Sequence, residues 1–578
     1  MKLSFGCLLW LVAAAVAFPS QSSPSAAQTS PSAPRASAQS WATIAGMVTK
    51  EPGSEAVKKA VIELIAENQS DGGNYTALTG ADGSFQIEGI VPGRYHLFVE
   101  RLGYLEVEKH RSRTEGRVLT LSAGQELKDL AIHLQAAAVV TGRVTDEDGD
   151  PMSNAEVAVL RQLFVSGRRR LEQVGAEHTN DLGEYRIASL AAGSYYVSVT
   201  PPPDFRSLIE ANAGAAAAGP AHGEKLAPPS YQITYYPGTR ERGQAAPIQL
   251  HAGDEFPANF SLTPSPTMIV RGSVVGLPRG ATATIMLQSK EFGLVVNGGE
   301  LRKDGTFEIR DVAPGAYTIL ATAENAPVPM TARQALQVTS ANVDGLRLAP
   351  QPGATIRGRI RLAVNAASGS SRLDVSQLFL TLRPADGDDE GPGAFLLGDG
   401  FTTVAHVNPD GSVEWTNVPA GRYYVHLTSD ASGASEWFVK SAVAGGSDIA
   451  DAGLTVSGGT VLLDLVLSAN GGVVEGIAAS HKGEPVADAV VVAVPEARLR
   501  GHLDRFRKTL SDQNGRFSLH GLPPGNYSVY AWESVDGDAY YNPEFLKRYE
   551  GQANAVKVDE GDRTQLQLET LPPAEDQP

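Results

Sequence analysis

Apolar and polar residues alternate along this chain in short bursts, and the bursts recur. Phe85-x-Ile87 follows Gly83, Tyr185-x-Ile187 follows Gly183, and Phe307-x-Ile309 follows Gly305; Val413-x-Trp415 and Phe517-x-Leu519 follow Gly411 and Gly515. Ten residues beyond each of those glycines stands a second one (Gly93, Gly193, Gly315, Gly421, Gly525), and two positions later a tyrosine opens another burst. These are Tyr95-Leu97-Val99, Tyr195-Val197-Val199, Tyr317-Ile319-Ala321, Tyr423-Val425-Leu427 and Tyr527-Val529-Ala531. A period of two predicts half-buried β-strands. The constant step of ten predicts five copies of one unit. A slip of one residue would turn each apolar face to water, so the spacing also sets the register.

Upstream of each phrase lies a strand with glycine at its centre: Ile44-x-Gly46-x-Val48, Val140-x-Gly142-x-Val144, Val270-x-Gly272-x-Val274, Ile356-x-Gly358-x-Ile360 and the weaker Val474-x-Gly476-x-Ala478. A glycine on the apolar face admits another backbone or a ring at close range. A second apolar strand follows, at 60–65, 155–160, 283–287, 375–382 and 489–494, and then the Asp-Gly or Asn-Gly turn. Glycine there takes positive φ while the Asp or Asn side chain bonds nearby backbone. In the second copy, Asp181-Leu182-Gly183 reads as a turn one residue longer. Each copy closes on a strand pair around a polar turn, for example 119–134 around Gly124. About seven short strands per copy predict an all-β chain of five tandem antiparallel β-sandwiches of immunoglobulin-like or transthyretin-like type. The expected boundaries are 41–136, 137–266, 267–351, 352–470 and 471–574.

Composition agrees with this picture. Glycine (60) and proline (36) are plentiful among 578 residues and aromatics are few. That suits turns and short strands. The net charge of −17 is spread over mixed acidic and basic residues. It argues against a nucleic-acid partner, and Arg168-Arg169-Arg170 reads as a solvated tip. Residues 1–17 have the form of a secretory signal: Lys2, an apolar core at 8–18, and Ala15-Val16-Ala17 as cleavage site. The apolar run is shorter than the roughly 20 residues a membrane span needs. Residues 18–40 read as a flexible Ser/Ala/Pro-rich linker. The single cysteine, Cys7, falls in the signal. The exported chain is therefore expected to lack disulfides and thiol chemistry. The destination is periplasmic, extracellular or the cell surface.

Two copies carry aromatic insertions after the tyrosine strand. The second has Tyr231, Tyr235 and Tyr236, beyond an Ala/Gly-rich run at 211–219; the fifth has Tyr540, Tyr541, Phe545 and Tyr549. Grouped rings on loops are the candidate recognition residues, the alternative being that they fold back and cap a sandwich. The fourth copy has an acidic insertion at 386–391. Asp146, Asp148 and Asp150 are spaced like the start of a calcium loop but lack the bidentate Glu of an EF-hand. A turn is expected there, with surface calcium as the alternative. His481-x-x-Glu484 is a literal zinc-site fragment, but it falls in an ordinary inter-strand turn. No nucleophile elbow, P-loop or dinucleotide fingerprint is present. No cofactor, metal or catalytic residue is expected.

The succession of Gly-x-Val strand, Ala-x-Val strand, Asp-Gly-x-Phe and Pro-Gly-x-Tyr resembles the carboxypeptidase regulatory-like domain, a prealbumin-like sandwich. It is also similar to the B-type repeats of bacterial surface adhesins and to the carbohydrate-binding-like fold. The resemblance spans nearly all of 41–571 and implies fold more than function. The adhesin repeats' Lys–Asn isopeptide bond is not carried over, because Lys50 has no counterpart at Asp146, Gly276 or Ser480. The expectation is a secreted non-catalytic array that binds carbohydrate or protein at the bacterial cell envelope. The alternatives are a structural spacer or assembly component without a small ligand, and an accessory to carboxypeptidase activity.

Overall fold

The computed structural model describes residues 41–67, 73–107, 116–202, 231–290, 295–363, 375–385, 404–429 and 437–572. The expected signal with Cys7, the expected linker, the Ala/Gly-rich run and the acidic insertion lie outside the described residues. Trp41–Pro578 clusters as one unit by backbone contacts. Within it each repeat owns a hydrophobic core, built in the first repeat around Ile44, Ile62, Phe85, Tyr95 and Ile132, and in the fourth around Ile356, Leu380, Trp415 and Leu465. The other three repeats each have a core of their own. No helix among the described residues is long and apolar enough to cross a membrane.

Seven strands recur in one topology. In the first repeat, Ala42–Glu51 lies between Ser84–Ile90 and Glu126–Ala136 in one sheet. The facing sheet runs Tyr75–Leu78, Val61–Ala66, Gly93–Glu100, Arg117–Leu121. The strand with Phe85 and the strand with Tyr95 thus lie in opposite sheets and send their rings into the same core. The sheets are not purely antiparallel as the sequence pattern predicts. In every repeat the opening strand pairs parallel with the last one. Nor do the closing strands form a hairpin. Arg117–Leu121 pairs with the tyrosine strand and Glu126–Ala136 with the opening strand, so the polar turn at Gly124 crosses between sheets. A local pattern shows which face of a strand is apolar, whereas its partner is chosen by the sandwich as a whole.

The recurrent residues hold fixed posts. Gly83 has φ +78°, and Asp82 Oδ1 accepts from the Ser84 amide at 3.1 Å and the Ser84 hydroxyl at 2.7 Å. Asp304 and Asp410 do the same for Thr306 and Ser412. In the second repeat the anchor is Asn180, whose Oδ1 accepts from Leu182 N and Glu184 N; Asp512 plays that part in the fifth. The backbone bonds Gly183 N to Asn180 O and Asn180 N to Glu184 O match those of Gly83 and Gly80. The second turn is therefore not lengthened; its anchor moves two residues back. A Cβ on Gly46 would collide with the Leu130 carbonyl oxygen and the Phe85 ring, and one on Gly142 with Ala258 O and the Tyr185 ring. Close approach of both kinds is what the glycine permits.

Candidate functional site

The structure takes most of the candidate rings out of solvent. Tyr235, Tyr540, Phe545 and Tyr549 are 1%, 4%, 6% and 6% exposed. As a surface for an outside ligand these four are corrected: the segments fold back over the outer face of a four-stranded sheet. In the second repeat Thr234–Tyr235 adds a short strand beside the tyrosine strand, with Ser198 opposite Tyr235. Its ring packs on Ala158 and Leu160. Tyr236 is half-buried and meets Phe256 and Phe260 edge-on, at 5.8 and 6.1 Å. Tyr231 is half-buried too, and its hydroxyl donates to Glu147 at 2.5 Å. That bond, before burial, pushes its pKa up.

In the fifth repeat the segment is helical. A 3-10 turn, Ala539–Tyr541, leads into a short helix, Pro543–Lys547. Proline opens the helix and Asn542 caps it, its Oδ1 accepting from Glu544 N at 2.8 Å and Phe545 N at 3.1 Å. Tyr540, Phe545, Leu546 and Tyr549 then pack with Tyr530 and Trp532, the latter stacked at 4.9 Å, into a second core outside the sandwich. Burial, first, and then Tyr541 and Asp538 push the Tyr540 hydroxyl far up; burial lifts Tyr541 to about 12.

This second core receives another repeat. The strands Glu156–Val165 and Arg168–His178 of the second repeat pair with each other to their tip, but only Glu156 to Leu160 also pair with the tyrosine strand. Beyond Leu160 the hairpin is a two-stranded arm. Its tip sits on the fifth repeat. Asp538 N donates to Phe164 O at 2.9 Å, Asn542 Nδ2 to Gly167 O at 2.8 Å, and Ser166 N to Asp538 Oδ2 at 3.4 Å. The Phe164 and Phe545 rings lie 6.4 Å apart. A Cβ on Gly167 would stand 2.7 Å from Tyr541, and one on Gly537 2.5 Å from Phe164 O. Arg168-Arg169-Arg170 belongs to the arm's strand and not to a loop; Arg168 and Arg169 are exposed as expected, and Arg169 lies over the Phe164 ring at 5.2 Å.

The fifth repeat holds two further neighbours. Toward the first, Arg94 donates to Leu510 O at 2.9 Å, and the Gln513 amide accepts from Thr120 N at 3.0 Å and donates to Thr120 O at 2.7 Å, covering the edge strand Arg117–Leu121. Toward the fourth, Asp451 bridges Arg498 at 2.7 Å and Arg505 at 2.9 Å, and its carbonyl lies 2.8 Å from His502 Nε2. His426 Nδ1 is 3.3 Å from Asp504. Burial raises Asp504, but contact with His426 and the charges of His426, His502 and Arg507 outweigh it and hold the carboxyl below its ordinary value. Burial holds His502 below its own.

The remaining candidates are turns. Asp146 Oδ1 accepts from Asp148 N and Asp150 N, so this carboxylate anchors the turn. Ser480 Oγ accepts from Lys482 N and Glu484 N across the His481 turn. Among the described residues no group of three or more His, Cys, Asp or Glu is placed to hold a metal ion. The residues that join repeats, Asn542, Asp538, Gln513 and Asp451, were not singled out by sequence. One signal was available: 490–494 and 157–160 are unbroken apolar runs, not alternating ones, and mark strands covered on both faces.

The architecture is that of a tandem β-sandwich protein. Residues 43–135 and 139–204 match the carboxypeptidase regulatory-like domain, which places the match in the first two repeats. Among curated proteins none matches. Solved structures with local similarity include the Bacillus anthracis TIE protein (15% identity, 54% of this chain and 51% of that one, TM-score 0.16). They also include a Streptococcal ancillary pilin (11%, 54% and 99%, 0.17) and BcpA, the major pilin subunit of Bacillus cereus (10%, 54% and 99%, 0.15). The chain thus spans about half of the first of these. At such TM-scores the likenesses carry no functional weight.

Proposed function

We propose that this chain is an exported, non-catalytic array of five regulatory-like β-sandwiches, bounded as the repeats imply, that serves as a protein-assembly component at the cell envelope. One observation carries the reading: the aromatic and amide groups with recognition chemistry are spent on protein, as Asn542 and Tyr541 are on the Phe164–Gly167 tip. Their chemistry is the reading of backbone carbonyls and a glycine, not the flat stacking face a sugar needs. Contacts of the fifth repeat with the first, second and fourth also weigh against a strictly end-to-end spacer. The test is to cross-link the chain in intact envelopes and identify what it joins. Envelope proteins are the expected products. A chain that retains polysaccharide and cross-links to no protein would return the assignment to carbohydrate binding. Chelator-sensitive release of C-terminal residues by the purified chain would overturn its non-catalytic part.

A further inference from the structure

The arm of the second repeat protrudes from its sheet, and the fifth repeat holds a seat shaped to it. Arg161 to Val165 and Arg168 to Glu172 pair only with each other. An isolated two-stranded ribbon is marginal in water, so the arm depends on the surface that receives its tip. That surface reads three backbone groups, one phenyl ring and the absence of a side chain at Gly167. Partner and seat are 375 residues apart at the Asn542–Gly167 bond, so no local geometry obliges an arm to find the seat of its own chain. A second copy offers the same seat with the same bonds.

We infer that the seat formed by Asp538, Tyr541, Asn542 and Phe545 is an exchangeable docking site, which takes the Phe164–Gly167 arm of its own chain or of a second copy. Exchange of an identical element costs little because every contact is remade. What decides between the two forms is the chain's own effective concentration at its seat against the concentration of other copies. Reciprocal exchange between two copies closes a dimer, whereas one-way exchange joins copies in series. This goes beyond the envelope role proposed above and stands or falls without it.

Asn542 gives a clean lever because its two amide atoms do different work. Asn542→Asp keeps the oxygen that caps the helix and replaces the donor to Gly167 O with a second oxygen. The test uses the full chain with Cys7→Ser, which leaves no native thiol. Ser166→Cys is placed in one preparation and Asp538→Cys in another. Mixed under mild oxidation, they are expected to give a disulfide-linked dimer, in yield rising with concentration, well above the level from Ser166→Cys mixed with Leu102→Cys, a position 88% exposed. Adding Asn542→Asp to the Asp538→Cys chain is expected to lower the yield roughly tenfold. The double variant Ser166→Cys/Asp538→Cys, kept dilute, should close within one chain. A mixed dimer no more abundant than the Leu102→Cys control overturns the exchange. Failure of the double variant to close overturns it as well, since the arm is then not in the seat.

Discussion

The hydroxyl of Tyr95 donates to the carbonyl oxygen of Val91 at 2.5 Å, four residues upstream across the turn that delivers its own strand. The same bond recurs from Tyr195 to Ala191, Tyr317 to Ala313, Tyr423 to Pro419 and Tyr527 to Pro523. The tyrosine therefore does two jobs: its ring fills the core and its hydroxyl satisfies a turn carbonyl that the crossing between sheets leaves without a strand partner. This is the tyrosine corner of β-sandwiches, present five times.

Replacing Tyr95 by Phe keeps the ring and removes the bond, and is expected to cost about 1 kcal/mol in chemical denaturation. Burial of these hydroxyls also links stability to high pH. Burial lifts Tyr423 and Tyr527 from 10.0 to about 12. Their folded-state pKa is raised, so the unfolded chain loses protons first. Stability is full below pH 10 and falls as pH rises from about 10 toward 12. Tyr423→Phe/Tyr527→Phe should be less stable at neutral pH but lose less between those limits; an unchanged alkaline slope would contradict the assignment.

The opening glycines differ in what crowds them, so their alanine variants should differ. Gly46, Gly142, Gly272 and Gly476 face a carbonyl oxygen and a ring, and alanine there is expected to cost about 1–3 kcal/mol. At Gly358 the nearest obstacle is the Val413 side chain at 2.5 Å, with Leu463 O at 3.6 Å. A rotamer change relieves that clash, and Gly358→Ala should be the mildest of the five by thermal denaturation.

A buried hydroxyl clamps the second strand in three repeats. Thr79 Oγ1 accepts from Ala60 N at 2.8 Å and donates to Val57 O at 2.6 Å. Thr179 and Ser511 do the same for Ala155 with Met152 and for Ala489 with Val486. Thr79→Val strands a buried amide and is expected to cost about 1–3 kcal/mol. Thr79→Ser should cost less, since serine already does the work at Ser511. Equal loss from both would mean that packing, not bonding, matters there.

The junction of the fourth and fifth repeats should weaken in acid. Burial depresses His502 below 6.5. The unfolded chain therefore binds its proton first, and stability falls as pH drops below about 6.5. Asp504, also depressed, holds its share until pH falls below 3.8. His502→Gln should flatten the upper step and leave the lower one, measured as denaturation midpoint against pH.

Much of this molecule was determined by its sequence alone. Period-two bursts mark strand faces, Asp-Gly turns mark corners, and the ten-residue step ties Phe85 to Tyr95; each depends on neighbours a few residues away, so a linear reading reaches it. The parallel pairing of Gly46 with Leu130 was out of reach, because the strand pattern is the same whichever way the partner runs. The fate of the aromatic segments was decided by tertiary structure. Tyr231 and Tyr541 have equal claim to be surface rings in the sequence. Only the fold places one at a half-exposed edge on Glu147 and the other beneath Gly167 of a repeat far away in the chain. What a ring touches depends on which distant backbone reaches it first, and contacts between distant repeats leave no period to read.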